Sequence, residues 1–167
     1  MTDTFAVMAN ADPRALQNFD GTDKAVFRAL DDDPRVPVLF LAQRLGLARG
    51  TVQARLERKM AANCLRPNST RITPDSLGLP ISALVTAEVE QSSLAAAVEA
   101  LSGIPEIIEV YGMAGEADLA IRVVAKDTED LFRLGQQITD CAGIRRTTTS
   151  LLLKKLVPYR ISQLLHD

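Results

Sequence analysis

The sequence predicts an α+β protein in two domains, a helical amino-terminal one and a carboxy-terminal one whose elements run βαββαβ. Three observations carry this. From Asp20 to Ala61 apolar residues recur every three or four positions between helix-start and helix-stop residues. From Ile81 onward, runs of alternating or β-branched residues are interleaved with two stretches of helical spacing. Between these patterns lies Pro74 to Pro80, PDSLGLP, a turn-rich break. The expected boundaries are an extension over 1–19, a helical domain over 20–73, a linker over 74–80 and a second domain over 81–167.

Asp20, Gly21, Thr22 and Asp23 supply helix-start chemistry, because an Asp or Thr oxygen accepts from the unpaired amides of a first turn. The first helix carries Val26, Phe27 and Leu30 to about Asp31, where Asp31, Asp32, Asp33 and Pro34 stop it. The acidic run reads as a solvated loop and takes no site. A second helix spans Val38 to Leu45, with Leu39, Ala42 and Leu45 on one face; Gly46 closes it in the left-handed conformation and Leu47 returns to the core. The third helix runs from Arg49 to about Ala61. At about 100° per residue its buried side holds Val52 and Leu56, with Lys59 and Met60 nearby. Asn63 ends it, and two short pieces, at Cys64 to Arg66 and Arg71 to Thr73, are placed to pair as a hairpin. Together these make a winged helix-turn-helix.

The outer side of the third helix is centred on Gly50 and Ala54, with Thr51, Gln53, Glu57 and Arg58 around them. Two residues with almost no side chain at the centre of an exposed face suit a helix that must lie close to something. The major groove of double-stranded DNA admits a helix. Arg49, Thr51 and Gln53 are then placed for base edges, and Arg55, Arg58 and Arg66 for phosphates, which orient a protein without reading sequence. Net charge is only −2, but between positions 44 and 71 seven basic residues face one acid, Glu57. Screening makes that local excess, not the average, the quantity a phosphate feels.

In the second half, Ile81 to Val89 reads as a strand, Ser92 to Leu101 as a helix, Ile107 to Met113 and Leu119 to Val124 as strands, Thr128 to Cys141 as a helix and Ile144 to Val157 as containing a last strand. The order is that of a ferredoxin-like unit, a four-stranded antiparallel sheet with helices on one face. A second copy of the chain is the simplest cover for the other face. Met113, Ala114, Gly115 and Asp118 lie in a loop whose glycine permits unusual backbone angles beside an acid, and Thr147 and Thr149 present hydroxyls from one face of the last strand. A small zwitterion needs such an acid for its ammonium and hydroxyls or amides for its carboxylate. A plain hairpin loop and an ordinary Thr-rich strand account for the same residues.

Cys64 and Cys141 lie far apart with no CxxC or Cys/His cluster, which argues against a disulfide framework and a metal site. The first twenty residues lack a basic start followed by an apolar core, and no run reaches the roughly 18 apolar residues of a membrane helix. A soluble cytoplasmic protein without a membrane partner is expected. The single histidine, His166, sits beside the carboxyl terminus, and no catalytic constellation accompanies it.

These segments, in this order, resemble the Lrp/AsnC (feast/famine) family of bacterial and archaeal transcriptional regulators. The resemblance rests on FDGTD with Asp20 and Asp23, the acid-rich turn followed by Arg35, LGLARGTVQARLER, Gly115 with Asp118, and the strand start from Gly143 to Thr149. Ala48 stands where the family often has Ser, Asn63 where Gly is usual, and Ala117 where an aromatic is frequent. The resemblance implies a DNA-binding regulator and not an enzyme, with a carboxy-terminal sensing (RAM) domain and no cofactor beyond a possible amino-acid or related effector. It further implies dimers built through the sheets and assembled into tetramers or octamers, with the effector bound where the Gly-x-x-Asp loop and the Thr-bearing strand meet at contacts between dimers. Two alternatives stay open at this point: a dimeric α+β barrel enzyme, and an amino-acid-binding module that never touches DNA.

Overall fold

The structure is a computed structural model that describes residues 19–62 and 64–165. The expectations placed on Asn63, on His166 and on the extension before residue 19 lie outside the described residues. Two compact units are present. One comprises the chain up to Asn68 together with the segment from Pro158; the other is Ser69–Val157. The segment from Pro158 therefore groups with the helical unit.

In the helical unit, α1 is Gly21–Asp32. Asp20 caps it, its carboxylate accepting from Asp23 N–H at 2.7 Å, and the Asp23 carboxylate accepts in return from Asp20 N–H at 3.4 Å. α2 is Val38–Leu45 and α3 is Arg49–Ala61. Gly46, at φ 65°, makes the turn between them, its N–H bonding Gln43 O and that of Leu47 bonding Ala42 O. The core is Val26, Ala29, Leu41, Ala42 and Val52, with Leu45, Leu47 and Leu56 packed against it.

Two sequence expectations fail here for geometric reasons. α2 buries Leu41 and Ala42 while Leu39 is 47% exposed. A stripe stepped by three residues falls about 60° short of a turn at each step, so Leu39 and Leu45 cannot share a face. The wing does not form either. Asn68–Arg71 and Pro74–Leu77 are single 3₁₀ turns, and no strand occurs among the described residues between α3 and Ile81. Pro67 and Pro74 lack donors and bracket runs too short to pair.

A cluster of charges ties α1 to α3. Asp23 is 2% exposed, and Lys59 of α3, equally buried, places its Nζ 3.1 Å from Asp23 Oδ2. Arg55 Nη1 donates to Asp23 Oδ1 at 2.7 Å and to Asp20 Oδ2 at 2.6 Å. The Phe19 ring lies 4.4 Å from Lys59 Nζ. The backbone amide of Asp23 and the Arg55 guanidinium hold the Asp20 carboxyl below the usual range. Burial pushes Asp23 up, but its bonds to Arg55 and Lys59 outweigh that and leave it lowered as well.

The second unit is an antiparallel sheet in the order β2-β3-β1-β4, with β1 Ile81–Val89, β2 Ile107–Gly112, β3 Leu119–Ala125 and β4 Ile144–Leu151. α4, Leu94–Ser102, and α5, Thr128–Thr139, pack Ala97, Leu101, Leu134 and Ile138 against Ala83, Val85 and Ala87 of β1 and Leu119, Ile121 and Val123 of β3. Asp127 caps α5, accepting from Asp130 N–H at 2.7 Å. β4 enters through Gly143 at φ 86°, and a Cβ there would lie 2.3 Å from Ser93 Cβ. No helix among the described residues is long and apolar enough to cross a membrane.

Gly143→Ala is expected to destabilise the protein by roughly 2–4 kcal/mol, since left-handed strain and a steric clash coincide; urea denaturation measures it, and a loss below about 0.5 kcal/mol contradicts the assigned packing. Acid acts on the helical unit. Because Asp20 and Asp23 have lowered folded pKa values, their stabilisation is complete above the unfolded value of about 4 and disappears as pH falls through the folded values. Asp20→Asn keeps the cap but removes a titrating charge, so thermal melts from pH 7 to 2 are expected to fall less steeply with acid than in the wild type; superimposable pH profiles contradict the ion pairing.

Candidate nucleic-acid interface and effector loop

α3 divides by periodicity. Val52 and Lys59 are buried and Leu56 half-buried, while Arg49, Gly50, Thr51, Gln53, Ala54, Glu57 and Arg58 are exposed. A Cβ built on Gly50 meets nothing within 4 Å, so no internal packing demands glycine there. Gln53 Nε2 donates to Glu57 Oε1 at 3.0 Å, one turn along the same face. Met60, expected near the buried side, is 65% exposed, because the inward arc centres on Val52 and Lys59.

Arg55 departs from the phosphate-contacting role expected of it. It is only 23% exposed, and its guanidinium turns toward Asp20 and Asp23. Those partners lie 35 and 32 positions earlier, beyond the reach of local periodicity. Lys59, which the spacing placed among apolar residues, is the second hand on Asp23; a basic residue on a buried arc is itself the signal that an acid must meet it. Arg58 remains half exposed, 3.8 Å from Asp23 Oδ1. Arg66 is exposed, with its guanidinium 4.1 Å above the Tyr159 ring. The outward face thus retains Arg49, Thr51, Gln53 and Arg58 around the small centre of Gly50 and Ala54. α3 starts without a side-chain cap, since Ala48 offers no acceptor.

The loop singled out in the second unit joins β2 to β3. Met113 N–H donates to Asp118 O at 2.8 Å, and Gly115 takes φ 149° between them, with Ala114 and Gly115 both exposed. The Asp118 carboxylate accepts from Val89 N–H at 2.7 Å and from Gln91 Nε2 at 3.4 Å, so it fastens the loop to the end of β1. Thr147 pairs with Ala87 and Thr149 with Val85, on the helix-facing side of β4. The Thr139 hydroxyl donates to Gly135 O, which makes Thr147 the donor in the 2.9 Å bond between Thr147 and Thr139. Leu119, next to Asp118, and Thr147 pair with the same residue, Ala87, from opposite sides of β1. Loop and strand therefore reach the same end of the sheet from opposite sides of β1, Leu119 and Thr147 standing about 10 Å apart, two strand spacings.

Two family models match the chain, the AsnC-type helix-turn-helix domain over residues 19–58 and the Lrp/AsnC ligand binding domain over residues 82–161. The chain is 30% identical over 144 residues to the HTH-type transcriptional regulator AldR of Mycolicibacterium smegmatis, covering 84% of each. It resembles the feast or famine regulatory protein from M. tuberculosis complexed with L-methionine at 29% identity and a TM-score of 0.75, over 86% of this chain and 98% of that one. E. coli AsnC shares the fold, with a TM-score of 0.78 at 21% identity over 87% of this chain and 99% of its own. The readings as a barrel enzyme or as a module without DNA binding fall with these matches. A recognition-type helix with a small-residue centre, a four-stranded sheet behind a Gly-x-x-Asp loop and both family models agree: the chain belongs to the Lrp/AsnC family of DNA-binding transcriptional regulators.

Proposed function

We propose that the outward face of α3 enters the major groove of double-stranded DNA, with Arg49, Thr51 and Gln53 at base edges and Arg58 and Arg66 at phosphates. The observation that carries this is the empty space over Gly50 at the centre of an exposed, basic face. Gly forms helix less readily than Ala, by up to roughly 1 kcal/mol in a helix interior and less in a first turn such as that of Gly50, and a close approach of the backbone to another molecule compensates it.

The second unit takes an amino acid or related metabolite as effector. Asp118 uses two carboxylate positions, on Val89 N–H and Gln91 Nε2, and a carboxylate offers about four, so it has capacity for an ammonium. With Thr147 donating to Thr139, the exposed Thr149 is the hydroxyl that supplies a donor to the ligand carboxylate. Met113, Ala114 and Gly115 border that end of the sheet. The M. tuberculosis relative complexed with L-methionine supports the ligand class. Thr149 pairs with Val85 while Asp118 holds the end of β1 at Val89, so the two groups are offset along the strand; a homo-oligomer of dimers, tetrameric or octameric, completes the site, and the protein works in the cytoplasm without a cofactor. The effector acts by favouring one assembly over another through its differential affinity.

Arg58→Ala is expected to weaken binding alike on all duplexes and to lower the slope of log K against log salt by about 0.9, the signature of one lost phosphate contact. Gel shifts at several salt concentrations check it, and an unchanged slope removes Arg58 from the interface. In a thermal-shift screen of the twenty amino acids with light-scattering mass, at least one is expected to raise the melting temperature and change the mass, and Thr149→Val to abolish both effects. No response to any of the twenty overturns the amino-acid reading.

A further inference from the structure

The geometry points to Arg55 as a specificity-determining positioning residue: with Lys59 it holds α3 in one register against the carboxylates of Asp20 and Asp23, so that base-reading side chains come up in place. This assignment rests on the reading that α3 is the DNA-reading helix. Its support is the way α3 is held.

Apolar burial has no direction, and on α3 it comes from the fully buried Val52 and the half-buried Leu56 alone. The helix start adds no fixed point, because Ala48 makes no side-chain cap. The charged bonds are directional. Arg55 and Lys59 are four residues apart, one turn on the same face, and they grip different oxygens of one carboxylate, Oδ1 at 2.7 Å and Oδ2 at 3.1 Å. A carboxylate 2% exposed and held by α1's capping box is a fixed anchor. A slip of α3 by one residue, about 1.5 Å and 100°, breaks both grips and leaves a charge buried without a partner. The register so fixed is carried along a rigid helix to Arg49, Thr51 and Gln53, all within about two turns of Arg55. Base-edge hydrogen bonds tolerate a spread of only about 0.5 Å, from roughly 2.7 to 3.2 Å, whereas flexible cations reach phosphates from many positions. Loss of register therefore removes sequence reading first.

The test compares two duplexes, one selected by the wild-type protein from a random pool and one of random sequence, in gel shifts at several salt concentrations. Each variant is first confirmed folded by circular dichroism, and Arg49→Ala serves as a base-contact control. Arg55→Ala is expected to bind the selected duplex at least about tenfold more weakly, to keep its affinity for the random duplex within about twofold, and to leave the salt slope unchanged, with Arg55→Lys recovering part of the preference. Equal weakening on both duplexes with a slope lowered by about 0.9 makes Arg55 a phosphate contact and overturns the assignment. So does an unaltered ratio of the two affinities in a folded variant, which leaves Arg55 structural only. If Arg55→Ala does not fold, Asp20→Asn carries the test, because Asn keeps the cap while weakening the anchor for Arg55; a preference for the selected duplex equal to wild type then overturns the assignment. Should Arg49→Ala also leave the preference intact, the placement of α3 in the groove fails instead, independently of Arg55.

Discussion

One buried carboxylate, that of Asp23, organises the helical unit. It closes the capping box that starts α1 and receives Arg55 and Lys59 from α3. A carboxylate and an ammonium withdrawn from water lose solvation that their attraction only roughly offsets, so such a pair contributes little net stability. What it contributes is uniqueness: any packing of α1 on α3 that separates Asp23 from its cations strands a charge in an apolar core, at a cost of several kcal/mol. With so few fully buried apolar side chains in this unit, apolar packing alone leaves neighbouring registers close in energy, and the charges separate them.

The second unit reaches uniqueness by other means. Burial alternates along β1, and β3 is apolar at every position but Arg122, which pairs with Glu109 of β2. A one-residue slip of β1 would turn Ala83, Val85, Ala87 and Val89 away from α4 and α5. Gly143 adds a backbone lock, since the chain passes Ser93 too closely for any side chain. Directional charge in one unit and the period of the pleat in the other solve the same problem with the residues each has available.

That contrast explains what was legible beforehand. Helix limits in the first unit follow local chemistry, the Asp20 cap, the Gly46 stop and the start at Arg49, and the structure places α2 and α3 as read. β1 was legible because its alternation is local. The stripe on α2 and the hairpin are errors of local geometry, whereas the missed partners are not local. Arg55 reads as a surface cation until its partners, more than thirty residues earlier, are brought beside it. The hairpin after α3 looked plausible by composition, and prolines at 67 and 74 leave two 3₁₀ turns instead. Likewise nothing in the apolar pattern tells that Tyr159 meets Arg66, a partner ninety-three positions away.

The loop between β2 and β3 shows the same double use of a carboxylate as the helical unit. Asp118 is not a spare acid held out to solvent, for it caps the end of β1 through Val89 N–H. That end is already irregular: the pairing of β1 with β4 shifts between Glu88 and Val89, Glu90 N–H bonds Gly143 O, and Glu90 meets Arg145 at 3.1 Å. Under the reading proposed for Asp118, an ammonium arriving there shares the carboxylate with Val89 and competes with the weaker bond from Gln91 at 3.4 Å. The competition is local, but Gln91 opens the 3₁₀ turn that leads into α4, and Ser93 of that turn is the residue against which Gly143 is packed. A charge placed on Asp118 therefore acts at the junction of β1, α4 and β4 at once. A ligand that discriminates between two assemblies needs differential contact with them, and a junction joined by few, short bonds is where such a difference is made at least cost.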